Sequence, residues 1–165
     1  MTQHSETRQL PYSAEEMYDL VADVARYPAF LPWTAAARVR ETRAAGSGDL
    51  EPGQEAFGPC TILEADLVIS FKVFRETFLS RVWLFPEAKR IETRYIDGPF
   101  KHLHSIWSFR DLESGGCEVH FDVSFEFKNR LLQGAAGMFF NEAMQRIVRA
   151  FEKRADDLYG MKNGS

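Results

Sequence analysis

Two histidines one residue apart, His102 and His104, are the nearest approach in this chain to a metal-binding pair, because an H-x-H spacing on a strand turns both imidazoles to one face. No acidic residue or third histidine lies close by in sequence. Leu103, Trp107 and Phe109 claim the opposite, buried side of the same stretch, so both histidines are expected on the solvent face, without a metal. His120 and Asp122 have the spacing of a base and its orienting carboxylate, but they belong to the polar side of a strictly alternating strand and read as a surface pair. Cys60 and Cys117 make neither a disulfide framework nor a zinc site, and neither has an activating neighbour, so both read as inert thiols. The chain contains no G-x-S-x-G, no phosphate-binding glycine loop, no dinucleotide fingerprint and no H-E-x-x-H. Arg146, Arg149, Lys153 and Arg154 cluster toward the end of the last helical segment, where they complement its dipole and the solvent and offer a docking patch. Nothing here assembles into an active site, and the expected protein is not an enzyme.

What the chain has in quantity is apolar surface. Of its 165 residues 45% are hydrophobic and 13% aromatic, with 14 phenylalanines, enough for one aromatic-rich core that encloses a pocket. A formal net charge of −4 argues against a DNA binder working through a broad basic face. No apolar run reaches transmembrane length and no secretory leader is visible, so the expected location is the cytoplasm, with transient contact at the inner face of the cell membrane.

The elements that would carry this surface are mostly strands. Ser5 to Leu10 reads as a short first strand. Ser13 and Glu16 form an S-x-x-E capping box, with Tyr12 and Met17 as a hydrophobic staple, and Met17, Leu20, Val21 and Val24 are the buried face of the helix that follows. The Pro-bounded stretch Tyr27 to Trp33 suits one helical turn presenting Phe30, Leu31 and Trp33. Thr34 to Arg43 is strand-like, and Ala44 to Asp49 reads as a flexible loop. Ala65, Leu67, Ile69 and Phe71 alternate with polar or smaller partners, a turn is expected around Val73–Arg75, and Phe78, Ser80, Val82 and Leu84 continue on the next strand. Ile91, Thr93 and Tyr95 follow, then Leu103, Trp107 and Phe109. Gly115–Gly116 turns the chain into the last strand, where Val119, Phe121, Val123, Phe125 and Phe127 share one face.

Leu131 to Tyr159 then reads as one long helix, with Leu132, Ala136, Phe140, Ala143, Ile147, Phe151 and Leu158 in a stripe. Its first half has surplus grease in Leu131, Ala135, Met138, Phe139 and Met144, as expected beside a cavity or a second partner. The order of elements indicates an α+β domain over residues 1–160, a curved antiparallel sheet wrapped on the long helix with two short N-terminal helices at one end, and a frayed tail at 161–165.

Four segments carry a family resemblance. Asp97-Gly-Pro-Phe100 followed by Leu103, Trp107 and Phe109 resembles the D-G-P-F…L…W-x-F stretch of the coenzyme Q-binding, START-like family of polyketide cyclase/dehydrase and lipid-transport proteins. Val24 to Trp33, Ser80-Arg-Val82 and Ala150 to Gly160 resemble the corresponding family segments, so the likeness spans about Ser5 to Gly160. The resemblance implies a helix-grip fold, a deep hydrophobic cavity between sheet and helix, and non-catalytic binding of the polyisoprenoid coenzyme Q in support of respiration, with no other cofactor required. Bacterial members also include ribosome-association toxins acting on the large ribosomal subunit, which makes the ribosome the alternative partner. Combined with the alternation, the expected ligand wall is Leu67, Ile69 and Phe71, then Val82 and Tyr95, then Phe100, Leu103, Trp107 and Phe109, then Val123 and Phe125. Met138 and Phe139 should close it from the helix, Phe30, Leu31 and Trp33 should gate it, and Tyr95 and Trp107 are the expected donors to quinone carbonyls.

Overall fold

The computed structural model describes residues 2–71 and 74–163, setting aside the side chains of Phe71, Phe74, Ala136, Phe139 and residues 161–163. Seven strands form one antiparallel sheet: β1 (Thr2–Leu10), β2 (Thr34–Ala44), β3 (Thr61–Phe71), β4 (Phe74–Phe85), β5 (Arg90–Asp97), β6 (Phe100–Asp111) and β7 (Cys117–Phe127). Their order across the sheet is β1-β7-β6-β5-β4-β3-β2, so the first strand pairs with the last and β2 takes the far edge. Helix α1 (Ala14–Ala22) and a 3-10 turn (Val24–Ala29) precede β2, and the long helix α2 (Arg130–Asn163) closes the described chain. This is the expected curved sheet gripping a C-terminal helix.

Local chemistry explains the helix starts. Ser13 caps α1: its hydroxyl accepts the Glu16 N–H at 3.0 Å, and the Glu16 carboxylate accepts the Ser13 N–H at 3.1 Å. Asn129 caps α2 through Oδ1, which accepts the N–H groups of Leu131 at 2.8 Å and Leu132 at 3.2 Å. Helix α2 continues to Asn163, into the stretch expected as a frayed tail. The expected turn around Val73–Arg75 falls partly on Lys72 and Val73, which lie outside the described residues, and Arg75 itself belongs to β4.

The core is aromatic and sits on the concave face. Trp107 stacks on Phe121 with ring centres 4.2 Å apart, and Phe151 of α2 meets Trp107 edge-on at 5.1 Å. Phe140 of the same helix meets Phe125 at 4.6 Å. Tyr27 and Phe30 pack on Phe151 at 5.4 and 5.3 Å, so the Pro-bounded turn is bolted to the C-terminal half of α2.

The convex face holds a second, smaller core of Ile62, Trp83 and Phe85, with Leu50, Phe57 and Cys60 packed against it. The stretch after β2 is therefore not a loose loop. It folds into short 3-10 turns at Ser47–Asp49 and Gln54–Phe57 and straps the back of the sheet. Arg43 grips Asp49 with two hydrogen bonds, of 2.6 and 2.8 Å, and Trp83 Nε1 donates to the Asp49 carbonyl at 3.0 Å. The glycines and small residues of 44–49 suggest flexibility; the apolar anchors lie later, at Leu50 and Phe57.

Candidate ligand site

Strand register decides which side chains share the concave face, because directly opposed residues in antiparallel strands point the same way. One row across the sheet is Val39, Ala65, Ser80 and Tyr95. The next is Leu63, Val82, Thr93, Ser105 and Val123. Leu67 and Phe78 oppose one another beyond the first row, and Leu103 opposes Phe125 on the other half of the sheet.

These rows divide the face in two. Over β6 and β7 the predicted wall residues Phe100, Trp107, Phe109, Val123 and Phe125 are buried, each at most 8% exposed, in aromatic packing. Phe109 meets Tyr18 of α1 at 6.2 Å, which places it in the floor under the first helix, away from Tyr95. Phe100 stacks on Phe127 at 4.7 Å and meets Tyr95 at 5.5 Å and Phe78 at 5.4 Å. Over β2 to β5 the face is looser: Val82 is buried, while Leu67, Ile69, Tyr95 and Leu103 are half-buried, as are Phe30 and Leu31. The helix backbone approaches β1, β7 and α1 and leaves this second half to the side chains around it.

Two buried hydroxyls without a partner stand in that looser half. Ser80 is 3% exposed and lies directly opposite Tyr95 across β4 and β5, and neither its Oγ nor the Tyr95 hydroxyl, both buried, has a hydrogen-bond partner. A buried hydroxyl left unpaired costs about 1–3 kcal/mol, so the pair offers two hydrogen-bonding points to a water or a ligand atom in an otherwise apolar wall. Tyr95 was expected. Ser80 was missed as a donor, although a lone serine among Phe78, Val82 and Leu84 was the visible signal.

Met138 corrects the expectation for the helix side. It is 79% exposed and does not approach the concave face, because α2 turns that side of its first turns outward. The side chains of Phe71 and Phe139, also expected in the wall, lie outside the described residues. Trp33 is half-buried at the entrance to β2, with a φ of 62° that a bulky residue adopts only at a cost, and its carbonyl accepts the Ser70 N–H at 2.8 Å.

The glycine of the D-G-P-F stretch shapes this half as well. Gly98 has a φ of +142°, and a Cβ there would fall 2.8 Å from the Phe78 Cβ, so only glycine lets the β5–β6 turn close over Phe78.

Under α2 the inward residues of β1 are polar, which the sequence pattern did not reveal. Gln133 Nε2 donates to Thr2 Oγ1 at 2.8 Å, His4 Nδ1 lies 3.1 Å from Asn141 Oδ1, and Arg8 pairs with Glu152 at 3.1 Å. The helix is thus latched to the edge strand by polar contacts, while Phe140, Val148 and Phe151 hold it to the core.

The remaining chemistry-bearing residues go elsewhere. His102 and His104 lie opposite Glu126 and Ser124 on the convex side, with His104 Nε2 3.8 Å from the buried Glu92, which Arg90 also holds at 2.9 Å. His120 Nδ1 lies 2.9 Å from the Thr7 hydroxyl, and Ser5 Oγ donates to Asp122 at 2.8 Å, so both serve β1–β7 pairing on the convex side. Among the described residues there is no group of three or more metal-ligating side chains. Burial pushes the Cys117 thiol up to about 11, and burial also raises Cys60. Neither is a ready nucleophile at neutral pH.

Comparison with known proteins identifies the family and the fold. The family model described as polyketide cyclase / dehydrase and lipid transport matches residues 10–152. The ribosome association toxin RatA of Pseudomonas aeruginosa is 34% identical over 151 residues, covering 92% of this chain and 93% of that protein. The mitochondrial coenzyme Q-binding protein COQ10 homolog B of Xenopus laevis is 33% identical over 162 residues, covering 96% of this chain and 59% of that one. The solution structure of an 18 kDa protein from Caulobacter crescentus superposes with a TM-score of 0.75 at 30% identity, covering 97% of this chain and 99% of that one.

Proposed function

The chain belongs to the polyketide cyclase/dehydrase and lipid-transport family, and from that membership we propose that it carries coenzyme Q, or a closely similar apolar carbonyl compound, without transforming it. The observation that carries this reading is the opposed pair Ser80 and Tyr95, two unpartnered buried hydroxyls in a half-buried apolar wall. A quinone oxygen accepts hydrogen bonds and supplies none, which is what two free O–H donors can recognise. The isoprenoid tail asks only for area along Leu67, Ile69, Leu103 and Phe30, at about 25 cal/mol per Å² of apolar surface removed from water. The polar side chains of the described wall, Ser80, Thr93, Tyr95 and Ser105, are hydroxyls, suited to hold a carbonyl and poorly suited to acid–base work.

Titrating delipidated protein with a short-chain ubiquinone, followed by tryptophan quenching, tests the proposal. Saturable binding that weakens in Tyr95→Phe and Ser80→Ala supports it. Absence of binding by the folded wild type overturns it.

A second reading has its own support in the RatA relatives and in the exposed row Arg146, Arg149 and Lys153 on α2. Under that reading the protein associates with the large ribosomal subunit through the basic row. Co-sedimentation with purified subunits, lost on Arg149→Glu, would favour it.

A further inference from the structure

Helix α2 presents one outward row whose members follow at steps of three and four residues, the spacing that keeps side chains on one side of a helix. Its first half is Leu131, Ala135 and Met138, all exposed, with Leu131 at 85% and Met138 at 79%. Its second half is Arg146, Arg149 and Lys153, also exposed. From Leu131 to Lys153 the row is about 33 Å long at the usual helical rise. The basic end borders an open groove of about 480 Å³ whose other bank is Pro28, Phe30, Leu31 and Pro32.

We propose that this row and groove form the docking face for a bilayer surface containing anionic lipid. Each half answers a different layer of such a surface: large apolar side chains enter the acyl boundary, and guanidinium and ammonium groups meet lipid phosphates. The chain as a whole is acidic, at −4, so a local basic row is not an overflow of general charge. Acidic neighbours offset part of it, through weak exposed pairs. Glu142 stands within the row and pairs with Arg146 at 3.3 Å, and Asp157 pairs with Lys153 at 3.9 Å, both exposed contacts of the weak i,i+4 kind. Among the described residues Arg149 Nε donates to the Gln145 carbonyl at 3.4 Å and meets no carboxylate, which leaves its charge available. A nucleic-acid surface would satisfy the three cations but would leave Leu131 and Met138 in water, and this is why the bilayer is the better fit. Phe30 and Leu31 belong both to the groove and to the half-buried edge of the concave face, so the docking face adjoins that edge.

The test is vesicle flotation of wild type, Leu131→Gln/Met138→Gln and Arg149→Glu/Lys153→Glu, using phosphatidylglycerol–phosphatidylcholine vesicles and phosphatidylcholine alone. All four positions are exposed, so the variants should keep the fold, which circular dichroism confirms. Wild type is expected to float with anionic vesicles, to bind neutral ones at least about tenfold less, and to lose binding in high salt. Each double variant is expected to lose at least about tenfold in partitioning. Ubiquinone titration in detergent runs alongside and should be unchanged in Arg149→Glu/Lys153→Glu, so failure of docking is distinguishable from failure of the ligand proposal. Wild type that ignores anionic vesicles overturns the inference. So does basic-row loss of ribosome co-sedimentation with vesicle binding unaffected, which would assign the row to RNA.

Discussion

Ser80 and Tyr95 face one another across β4 and β5 with both hydroxyls buried and neither hydrogen-bonded within the protein. Their flanks are apolar: Ala65 lies beside Ser80 on the next strand, and Phe100 packs against the Tyr95 ring at 5.5 Å. This pairing makes a polar point in a greasy wall, and it can be taken apart one oxygen at a time.

Removing an unpaired buried hydroxyl should help the empty protein and harm the loaded one. Tyr95→Phe is expected to raise the stability of delipidated protein by about 1 kcal/mol, since the desolvation penalty disappears. The same change should weaken ubiquinone binding several-fold. Urea denaturation of the delipidated protein, paired with the quenching titration, reads both effects, and their opposite signs distinguish a ligand contact from a structural one.

Gly98→Ala should cost about 1–3 kcal/mol, because alanine disfavours a φ of +142° and its methyl would press on Phe78. Phe78 would have to retreat along the concave face, so binding should fall with stability. Thermal denaturation and ligand titration of the variant check both.

Met138→Ala should change stability by less than about 0.5 kcal/mol, as for an exposed position with little packing to lose. A loss of several kcal/mol in denaturant unfolding would return Met138 to the core and contradict the outward orientation of its side chain.

Alkali should loosen the packing around α1 and the Tyr12 segment before it. Tyr12 donates a hydrogen bond to Asp156, and that bond, with burial and the nearby carboxylates, raises its phenol to about 12, while burial raises Tyr18 to about 12 as well. A phenol raised in the folded state holds its proton more tightly there than in the unfolded chain. Its contribution is therefore complete below the unfolded value near 10 and is lost as pH rises through about 12. Unfolding free energies measured at pH 8 and pH 11 should decline, and Tyr12→Phe should flatten part of the decline.

Strand alternation was legible wherever one face was apolar and the other charged. Val119 to Phe127, Phe78 to Leu84 and Ile91 to Tyr95 lie on the concave face as their period required, and the Ser13–Glu16 cap forms as its spacing required. Two features escaped because their logic is tertiary. Thr2, His4, Glu6 and Arg8 alternate as polar residues, yet they face inward: Glu6 meets His4 and Arg8, while Thr2, His4 and Arg8 reach Gln133, Asn141 and Glu152 some 130 or more residues away. The strap over Ile62, Trp83 and Phe85 escaped because convex-side burial breaks the simple inside–outside pattern of a one-faced sheet. For α2 the surplus apolar surface was legible but its destination was not: composition cannot distinguish a side chain bordering a cavity from one left outside, and Met138 proves to be outside.

The sheet order leaves β1 and β2 as two unclosed margins, each a row of backbone groups able to pair with another copy of the chain. The β2 margin is guarded. Its pairing with β3 is broken by irregularities between Thr34 and Ala36 and between Val39 and Glu41, and Arg38, Arg40, Glu41 and Arg43 crowd it with charge. Arg40 is drawn toward the sheet by Asp66 of β3, at 2.6 Å. The alanines at 35–37 interrupt that fence with small side chains and no charge, so this is where strand addition between copies would begin once the chain is crowded or partly unfolded. An open sheet of this kind therefore secures its separateness by irregular spacing and like-charge repulsion along one strand.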